Sequence, residues 1–196
     1  MKKRSEIEVF VLAGGKSRRM GNDKGLVNFK DEPMISHVLK VLEKLNLPSS
    51  IISGNKEYEK FEKPVYQDLI PNKGPLGGLY TALEISKSPM IILLACDMPS
   101  IHSESLLRLI ALATPDKMVV STDGKNISPL FACYPTSLKE AVKNALLNDE
   151  LKMLDFVQKH DHTLLDLRIG GNTMVLQNLN TKEELLSAQK NEKHSG

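Results

Sequence analysis

The chain has 196 residues, of which 41% are hydrophobic and 26% are charged, and its formal net charge is +2. These values are ordinary for a soluble globular protein that is long enough to bury a substantial core. The net charge alone argues neither for nor against nucleic-acid binding, but the chain has no long basic run or basic–aromatic stripe, so we expect no nucleic-acid partner.

The sequence also bears on the cellular compartment. The cations of residues 1–4 are not followed by a signal-peptide core, because Glu6 and Glu8 interrupt the segment. The apolar run at residues 90–96 is far shorter than a membrane span. Cys96 and Cys133 have neither a C-x-x-C nor a metal-site spacing, which predicts buried thiols in a reducing compartment. We therefore expect a cytoplasmic protein with no membrane partner.

Strands and helices are predicted to alternate along the chain. Continuous apolar runs predict strands covered on both faces at residues 9–13 and 90–96, as in parallel sheets. Further strands are predicted at residues 50–53, 118–122, 130–134, 163–168 and 173–177. Helical spacing predicts helices over residues 34–45, around Leu79 and Leu83, at 106–110 and at 138–146, and a last one from Thr181. This order predicts an α/β protein with a three-layer α/β/α, Rossmann-like arrangement and a mostly parallel sheet.

The first strand runs directly into a glycine pair, Gly14 and Gly15, and a cationic loop. The cations of that loop are Lys16, Arg18, Arg19 and Lys24. Glycines allow a sharp turn and a close approach to a ligand, and cations beside exposed amides stabilise phosphate oxygens. The spacing fits neither a Walker A loop, where Phe10 occupies a required glycine position, nor a dinucleotide-binding fingerprint. The pattern favours a phosphate-rich ligand; a tight turn with a solvated basic face is the alternative.

Asp97 directly follows the apolar run of residues 90–96. It is therefore expected at the carboxyl end of a central strand, the edge where open α/β sheets bind ligands. A carboxylate facing a phosphate loop suits Mg²⁺, which takes one or two protein carboxylates and completes its shell with phosphates and water. The alternative is that Asp97 only orders the following turn.

Two later segments are weaker candidates. Asp68 opens a loop rich in glycine and proline, over residues 68–78, whose amides could line a nucleoside pocket ahead of a helix. That loop is equally explained by turn chemistry alone. Asn178 and Asn180 are expected to share one side of an extended segment, and the alternative is that Asn180 only helps to start the helix at Thr181.

With these residues in view, the chain resembles the molybdenum cofactor guanylyltransferase family of the nucleotidyltransferase superfamily. The matching motifs are Leu12-Ala13-Gly14-Gly15-x-Ser17-x-Arg19-Met20-Gly21-x-Asp23-Lys24-Gly25, Asp68, Gly74-Pro75-Leu76-Gly77-Gly78, Cys96-Asp97-Met98-Pro99, Pro129-Leu130 and Asn178-Leu179-Asn180-Thr181-Lys182-Glu183-Glu184-Leu185. They follow the expected order over nearly the whole chain. The resemblance implies a single nucleotidyltransferase domain at 9–189, with a nucleotide-binding half before an acceptor-binding half. Residues 1–8 are expected to form an N-terminal extension, and the polar composition of residues 190–196 predicts a frayed tail.

The resemblance implies Mg²⁺-dependent transfer of GMP from GTP to molybdopterin, with release of pyrophosphate. It implies nucleotide binding by Leu12, Ala13, Gly14, Gly15, Lys24, Asp68 and Asp97, catalytic roles for Arg19, Lys24 and Asp97, Mg²⁺ binding by Asp97, and acceptor binding by Asn178 and Asn180. Cofactor-delivery proteins or molybdoenzymes are candidate partners.

The chain departs from the family pattern at two places in the acceptor half. Ser128 stands where a histidine often precedes the Pro-Leu pair, and an arginine common near Lys152 is not evident. The alternatives are a cytidylyltransferase acting on molybdopterin, a sugar-phosphate nucleotidyltransferase of the same fold, or a non-catalytic nucleotide-binding module.

Overall fold

The computed structural model describes residues 6–14, 23–169 and 176. Its strands are β1 (Ile7–Leu12), β2 (Asn28–Phe29), β3 (Glu32–Pro33), β4 (Ser49–Ile52), β5 (Val65–Tyr66), β6 (Met90–Ala95), β7 (Met118–Thr122), β8 (Ile127–Pro135) and β9 (His162–Asp166). The α-helices are α1 (Met34–Lys44), α2 (Gly74–Ile85), α3 (Ser103–Leu112), α4 (Lys139–Leu147) and α5 (Met153–Lys159). Short 3₁₀ helices cover Lys24–Leu26, Lys56–Phe61 and Thr136–Leu138.

Seven of these strands form one sheet in the order β5-β4-β1-β6-β8-β7-β9. Every neighbouring pair is parallel except the two that involve β8, which runs antiparallel to both β6 and β7. The parallel strands therefore end at one common edge of the sheet. β8 begins at that same edge.

Helices cover both faces of the sheet, because successive strand side chains point to opposite sides. In β1, Val9 and Val11 pack with α1 and α3, whereas Phe10 packs with α2 on the other face. Helices α4 and α5 join α2 on that second face. All six residues of β6 are buried, which explains why its sequence is uninterrupted by polar side chains.

The predicted fold class is confirmed: the sheet is mostly parallel, and helices lie on both faces. The strands predicted at 9–13 and 90–96 correspond to β1 and β6, each ending one residue earlier than predicted. The short elements β2, β3, β5 and α5 were not predicted. The strand predicted at 173–177, apart from Leu176, and the helix predicted from Thr181 lie outside the described residues. The limits of the domain, residues 9–189, stay a prediction.

Among the helices of the described residues, none combines the length and apolarity needed to cross a bilayer.

Candidate functional site

The candidate site lies where β1, β4 and β6 end side by side. Leu12 pairs with Ile52 of β4 and with Ala95 of β6, so the residues after these three strands are neighbours. Two main-chain hydrogen bonds continue the sheet by one step: the Ala13 amide donates to the Ile52 carbonyl at 2.9 Å, and the Cys96 amide donates to the Leu12 carbonyl at 3.0 Å. This continuation fixes the chain just before Gly14 and just before Asp97.

Gly14 is exposed at the end of β1 and has an unusual backbone conformation. Its φ of +107° lies in the region that residues with a side chain rarely adopt, and an added Cβ would lie 3.2 Å from Ser53 Oγ. Ser53 is buried at the end of β4, and its Oγ accepts a hydrogen bond from the Asn55 amide at 3.1 Å. Glycine at position 14 therefore lets the exposed backbone turn beside a fixed polar wall.

Lys24 and Asp97 meet at this edge although 73 positions separate them in the sequence. The Lys24 Nζ donates to Asp97 Oδ2 at 3.3 Å. Asp97 follows β6 and is only 8% exposed, while Lys24 opens the 3₁₀ helix Lys24–Leu26. A carboxylate this deeply buried needs a cationic partner, because desolvation disfavours an isolated charge. The structure thus places a lysine and a carboxylate together beside the glycine turn.

Asp23 holds the segment that carries Lys24. Its carboxylate accepts hydrogen bonds from the Gly25 amide at 3.3 Å, from Asn55 Nδ2 at 3.3 Å and from the Tyr58 hydroxyl. Tyr58 is fully buried, and burial, reinforced by the Asp23 carboxylate that accepts its hydrogen bond, raises the pKa of its hydroxyl, which stays a hydrogen-bond donor at neutral pH. The loop after β4 therefore fastens the start of the Lys24–Leu26 helix.

The floor beneath this segment is closely packed. A Cβ at Gly25 would lie 2.9 Å from Cys96 Sγ and closer still to the Tyr58 hydroxyl. Burial raises the pKa of the Cys96 thiol to about 12, with smaller contributions from the charges of Asp97 and Asp23. Cys96 is therefore a neutral packing residue under the site, as its apolar sequence context predicts.

The Asp68 loop approaches the edge from the other face of the sheet. The Leu69 amide donates to Thr81 Oγ1 at 3.0 Å, and Thr81 in turn donates to the Gly77 carbonyl at 3.0 Å, which ties the loop to the first turns of α2. Although Asp68 is on the exposed side of the loop, partial desolvation raises the pKa of its carboxyl above the ordinary value.

The predicted site residues divide into three groups. Lys24 and Asp97 are in direct contact, and Leu12, Ala13 and Gly14 lie on the adjoining strand end. Asp68 occupies a separate loop between β5 and α2. Gly15, Arg19, Asn178 and Asn180 lie outside the described residues.

Five polar residues of the described site had no predicted role: Asp23, which appeared only within the matched motif, and Ser53, Asn55, Tyr58 and Thr81. Asn55 could have been found from the sequence as a helix cap, because asparagine is a preferred N-cap residue. In the structure its side chain accepts a hydrogen bond from the Glu57 amide at 3.0 Å and caps the helix Lys56–Phe61. Thr81 stands in a buried and mostly apolar stretch of α2, where its sequence context predicts packing alone. Tyr58 stands in a highly charged segment that would be read as exposed.

The residues fit a metal shared with a phosphate ligand. In the part of the chain that the structure describes, no three His, Cys, Asp or Glu side chains cluster closely enough to hold an ion by themselves. Asp97 is a single carboxylate beside a cation, the donor set expected where a ligand's own oxygens complete the metal shell.

Comparison with known proteins assigns the chain to a family. The profile of the MobA-like NTP transferase domain matches residues 9–163. The chain belongs to this family. It is 36% identical to a Flavobacterium johnsoniae protein named "probable molybdenum cofactor guanylyltransferase", over 91% of this chain and 94% of that relative. It is 32% identical to the molybdenum cofactor guanylyltransferase of Shewanella loihica, over 91% and 93% of the two chains.

A solved structure supports the fold of the MobA-like family for this chain. Molybdopterin-guanine dinucleotide biosynthesis protein A from Archaeoglobus fulgidus superimposes with a TM-score of 0.78, at 24% identity, over 95% of this chain and 99% of that one. The resemblance found from the sequence motifs is confirmed, and the chain is a nucleotidyltransferase. Nucleotidyltransferases of this type generally use a divalent metal.

Proposed function

We propose that this MobA-like nucleotidyltransferase transfers GMP from GTP to molybdopterin in a Mg²⁺-dependent reaction that releases pyrophosphate. The observation that carries the proposal is the Lys24–Asp97 contact of 3.3 Å at the end of β6, one strand away from the Gly14 turn. The names of its curated relatives support guanine and molybdopterin as the substrates.

The nucleotide half of the site is assigned from the family resemblance, and the charges and positions of Lys24 and Asp97 support it. Leu12, Ala13, Gly14 and Gly15 would hold the guanine and phosphates along the end of β1. Lys24 and Arg19 would contact the triphosphate, and Asp68 would contact the nucleoside from the loop ahead of α2. Asp97 would hold Mg²⁺, which when bound supplies positive charge against the triphosphate oxygens. Asn178 and Asn180 would contact the acceptor.

The chemical step needs positioning more than proton transfer. The terminal phosphate of molybdopterin attacks the α-phosphorus of GTP, a new oxygen–phosphorus bond forms, and the bond to the β-phosphate bridging oxygen breaks. Pyrophosphate leaves with that electron pair. A phosphate nucleophile is already ionised at neutral pH, so no general base is required. The task of Lys24 is to offset the negative charge that grows on the departing pyrophosphate.

The test is pyrophosphate release by the purified protein with each of GTP, CTP, UTP and ATP, and with either molybdopterin or a sugar phosphate as the acceptor. We expect release with GTP together with formation of the guanine dinucleotide. Equal or better use of CTP would favour a cytidylyltransferase acting on molybdopterin. Transfer to a sugar phosphate would favour a sugar-phosphate nucleotidyltransferase. Binding of GTP with no transfer to any of these acceptors would favour a non-catalytic module.

Variants at Asp97 and Lys24 test the assignment of roles. Asp97→Asn is expected to lower turnover by about 100-fold or more, since a preorganised electrostatic group is lost. Lys24→Ala is expected to weaken GTP binding by about 10-fold to 100-fold and GMP binding much less, because a charge-assisted contact to the outer phosphates is removed. Asp116→Asn and Lys117→Ala, at exposed positions ahead of β7, are the matched controls. Normal turnover in Asp97→Asn, or equal losses for GTP and GMP in Lys24→Ala, would contradict the roles.

A further inference from the structure

Two residues after β4 donate hydrogen bonds to one carboxylate, that of Asp23. Asp23 receives the Tyr58 hydroxyl on Oδ1 and Asn55 Nδ2 on Oδ2, so both of its oxygens are engaged by residues more than thirty positions away. Asn55 is itself fixed, because its Oδ1 accepts from the Glu57 amide at the start of the Lys56–Phe61 helix. The Asp23 carboxylate is therefore hydrogen-bonded by the capped helix Lys56–Phe61 and by its N-cap residue.

The hydrogen bonds that fix Asp23 also fix the backbone position of Lys24, the next residue. Asp23 is the N-cap of the Lys24–Leu26 helix, and its Oδ1 also accepts the Gly25 amide at 3.3 Å. Lys24 lies between these two anchored residues. Gly25 cannot move toward the sheet, because Tyr58 and Cys96 already fill the space that a Cβ would need. The backbone position from which the Lys24 side chain starts is thus set by the Tyr58–Asp23 contact and the floor below it.

We infer that Tyr58 is a positioning residue for phosphate recognition: its hydroxyl acts through Asp23 to place the Lys24 ammonium beside Asp97. The inference rests on the proposed function, since it assigns to Tyr58 a part in binding the triphosphate. Tyr58 itself is fully buried, so it would act on the nucleotide through Asp23 and Lys24. Asn55 supports the same carboxylate from the other side.

A positioning role makes a specific prediction for nucleotides of different length. Tyr58→Phe keeps the buried ring and removes only the hydroxyl. It is expected to weaken binding of GTP with Mg²⁺ by about tenfold, within the range of a hydrogen bond to a charged group, while GMP affinity changes by less than about twofold. A general loss of structure would instead lower both affinities together.

The experiment is titration calorimetry with GTP and GMP on four proteins: wild type, Tyr58→Phe, Lys24→Ala and the double variant. If Tyr58 acts through Lys24, the selective loss for GTP disappears when Lys24 is already absent. Tyr134→Phe is the matched control, because Tyr134 is equally buried and its hydroxyl donates to the Pro129 carbonyl at 2.8 Å. We expect this control to keep the wild-type ratio of GTP to GMP affinity.

A second variant keeps the test decisive if Tyr58→Phe does not fold. Asn55→Asp retains the cap for the Glu57 amide but turns a second carboxylate toward Asp23, and the same selective loss of GTP affinity is expected. Equal losses for GTP and GMP, an unchanged ratio, or a selective loss that persists without Lys24 would overturn the inference. Wild-type protein that binds no GTP would instead overturn the proposed function, and with it the inference.

Discussion

Gly25→Ala is expected to damage both stability and nucleotide binding, because a single methyl group has no room at this position. The added Cβ would lie 2.9 Å from Cys96 Sγ and 3.1 Å from Cys96 Cβ, with the Tyr58 hydroxyl nearer than either. Both neighbours are buried, and neither is the free end of a flexible side chain. The overlap must be relieved by moving the Lys24–Leu26 helix away from the sheet.

The size of the effect follows from the cost of overpacking. Extra methyl groups in well-packed interiors destabilise by about 1–3 kcal/mol. For a chain of this length each kcal/mol lowers Tm by about 2–4 °C, so the expected drop in Tm is about 2–12 °C. The Lys24–Asp97 distance of 3.3 Å would change with the helix, so GTP affinity should fall more than GMP affinity.

Thermal denaturation and calorimetry on Gly25→Ala and Gly54→Ala measure these effects. Gly54 is the control because an added Cβ there meets nothing within 4 Å. Combining Gly25→Ala with Tyr58→Phe removes the nearest obstacle, so Tyr58→Phe should cost less stability in that background than in wild type. The reasoning would be refuted if Gly25→Ala melted within about 1 °C of Gly54→Ala, a shift smaller than overpacking produces.

Two further predictions concern titration and thiol chemistry. Because desolvation raises the pKa of Asp68, this carboxyl should take up a proton at a higher pH than an ordinary aspartate does. As the pH falls, the GTP affinity of wild type should therefore approach that of Asp68→Asn. If the ratio of the two affinities did not change with pH, the proposed contact between Asp68 and the nucleoside would be contradicted. Cys96 and Cys133 are buried, and burial raises the pKa of Cys96 to about 12. A thiol-specific chromogenic reagent should therefore label the folded protein slowly, and GTP should lower the labelling rate further. Rapid labelling of the native protein would argue against close packing of Cys96 beneath Gly25.

The strands that position the site could be predicted because they are buried on both faces. The runs that became β1 and β6 are apolar without interruption, and Asp97 follows the second of them directly. The direction of β8 could not be predicted, since a buried strand has the same composition whichever way it runs. The two-residue strands β2, β3 and β5 are too short to carry a periodic pattern.

The charged residues of the site were easier to predict than the residues that hold them. Lys24 and Asp97 stand in recognisable contexts, a glycine-rich loop and a strand end. The burial of Tyr58 arises only when the Lys56–Phe61 helix docks against Asp23 and Cys96, contacts that join segments far apart in the chain. Hydrophobic periodicity and neighbouring residue types do not indicate contacts between segments that are far apart in the sequence.

The reversed direction of β8 has a consequence for how substrate choice can change. β8 pairs with β6 only from Phe131 onward, so its first four residues, 127–130, project past the last paired residue of β6 and are only half-buried. The hairpin turn before them joins β7 to β8 at the rim where the parallel strands finish. With the second half of the chain proposed to bind the acceptor, insertions or replacements in this turn are expected to reshape the room available to it while leaving the layers of the core untouched. Under that proposal, redesign of acceptor preference would begin at this turn, with the ends of β1 and β6 kept as they are.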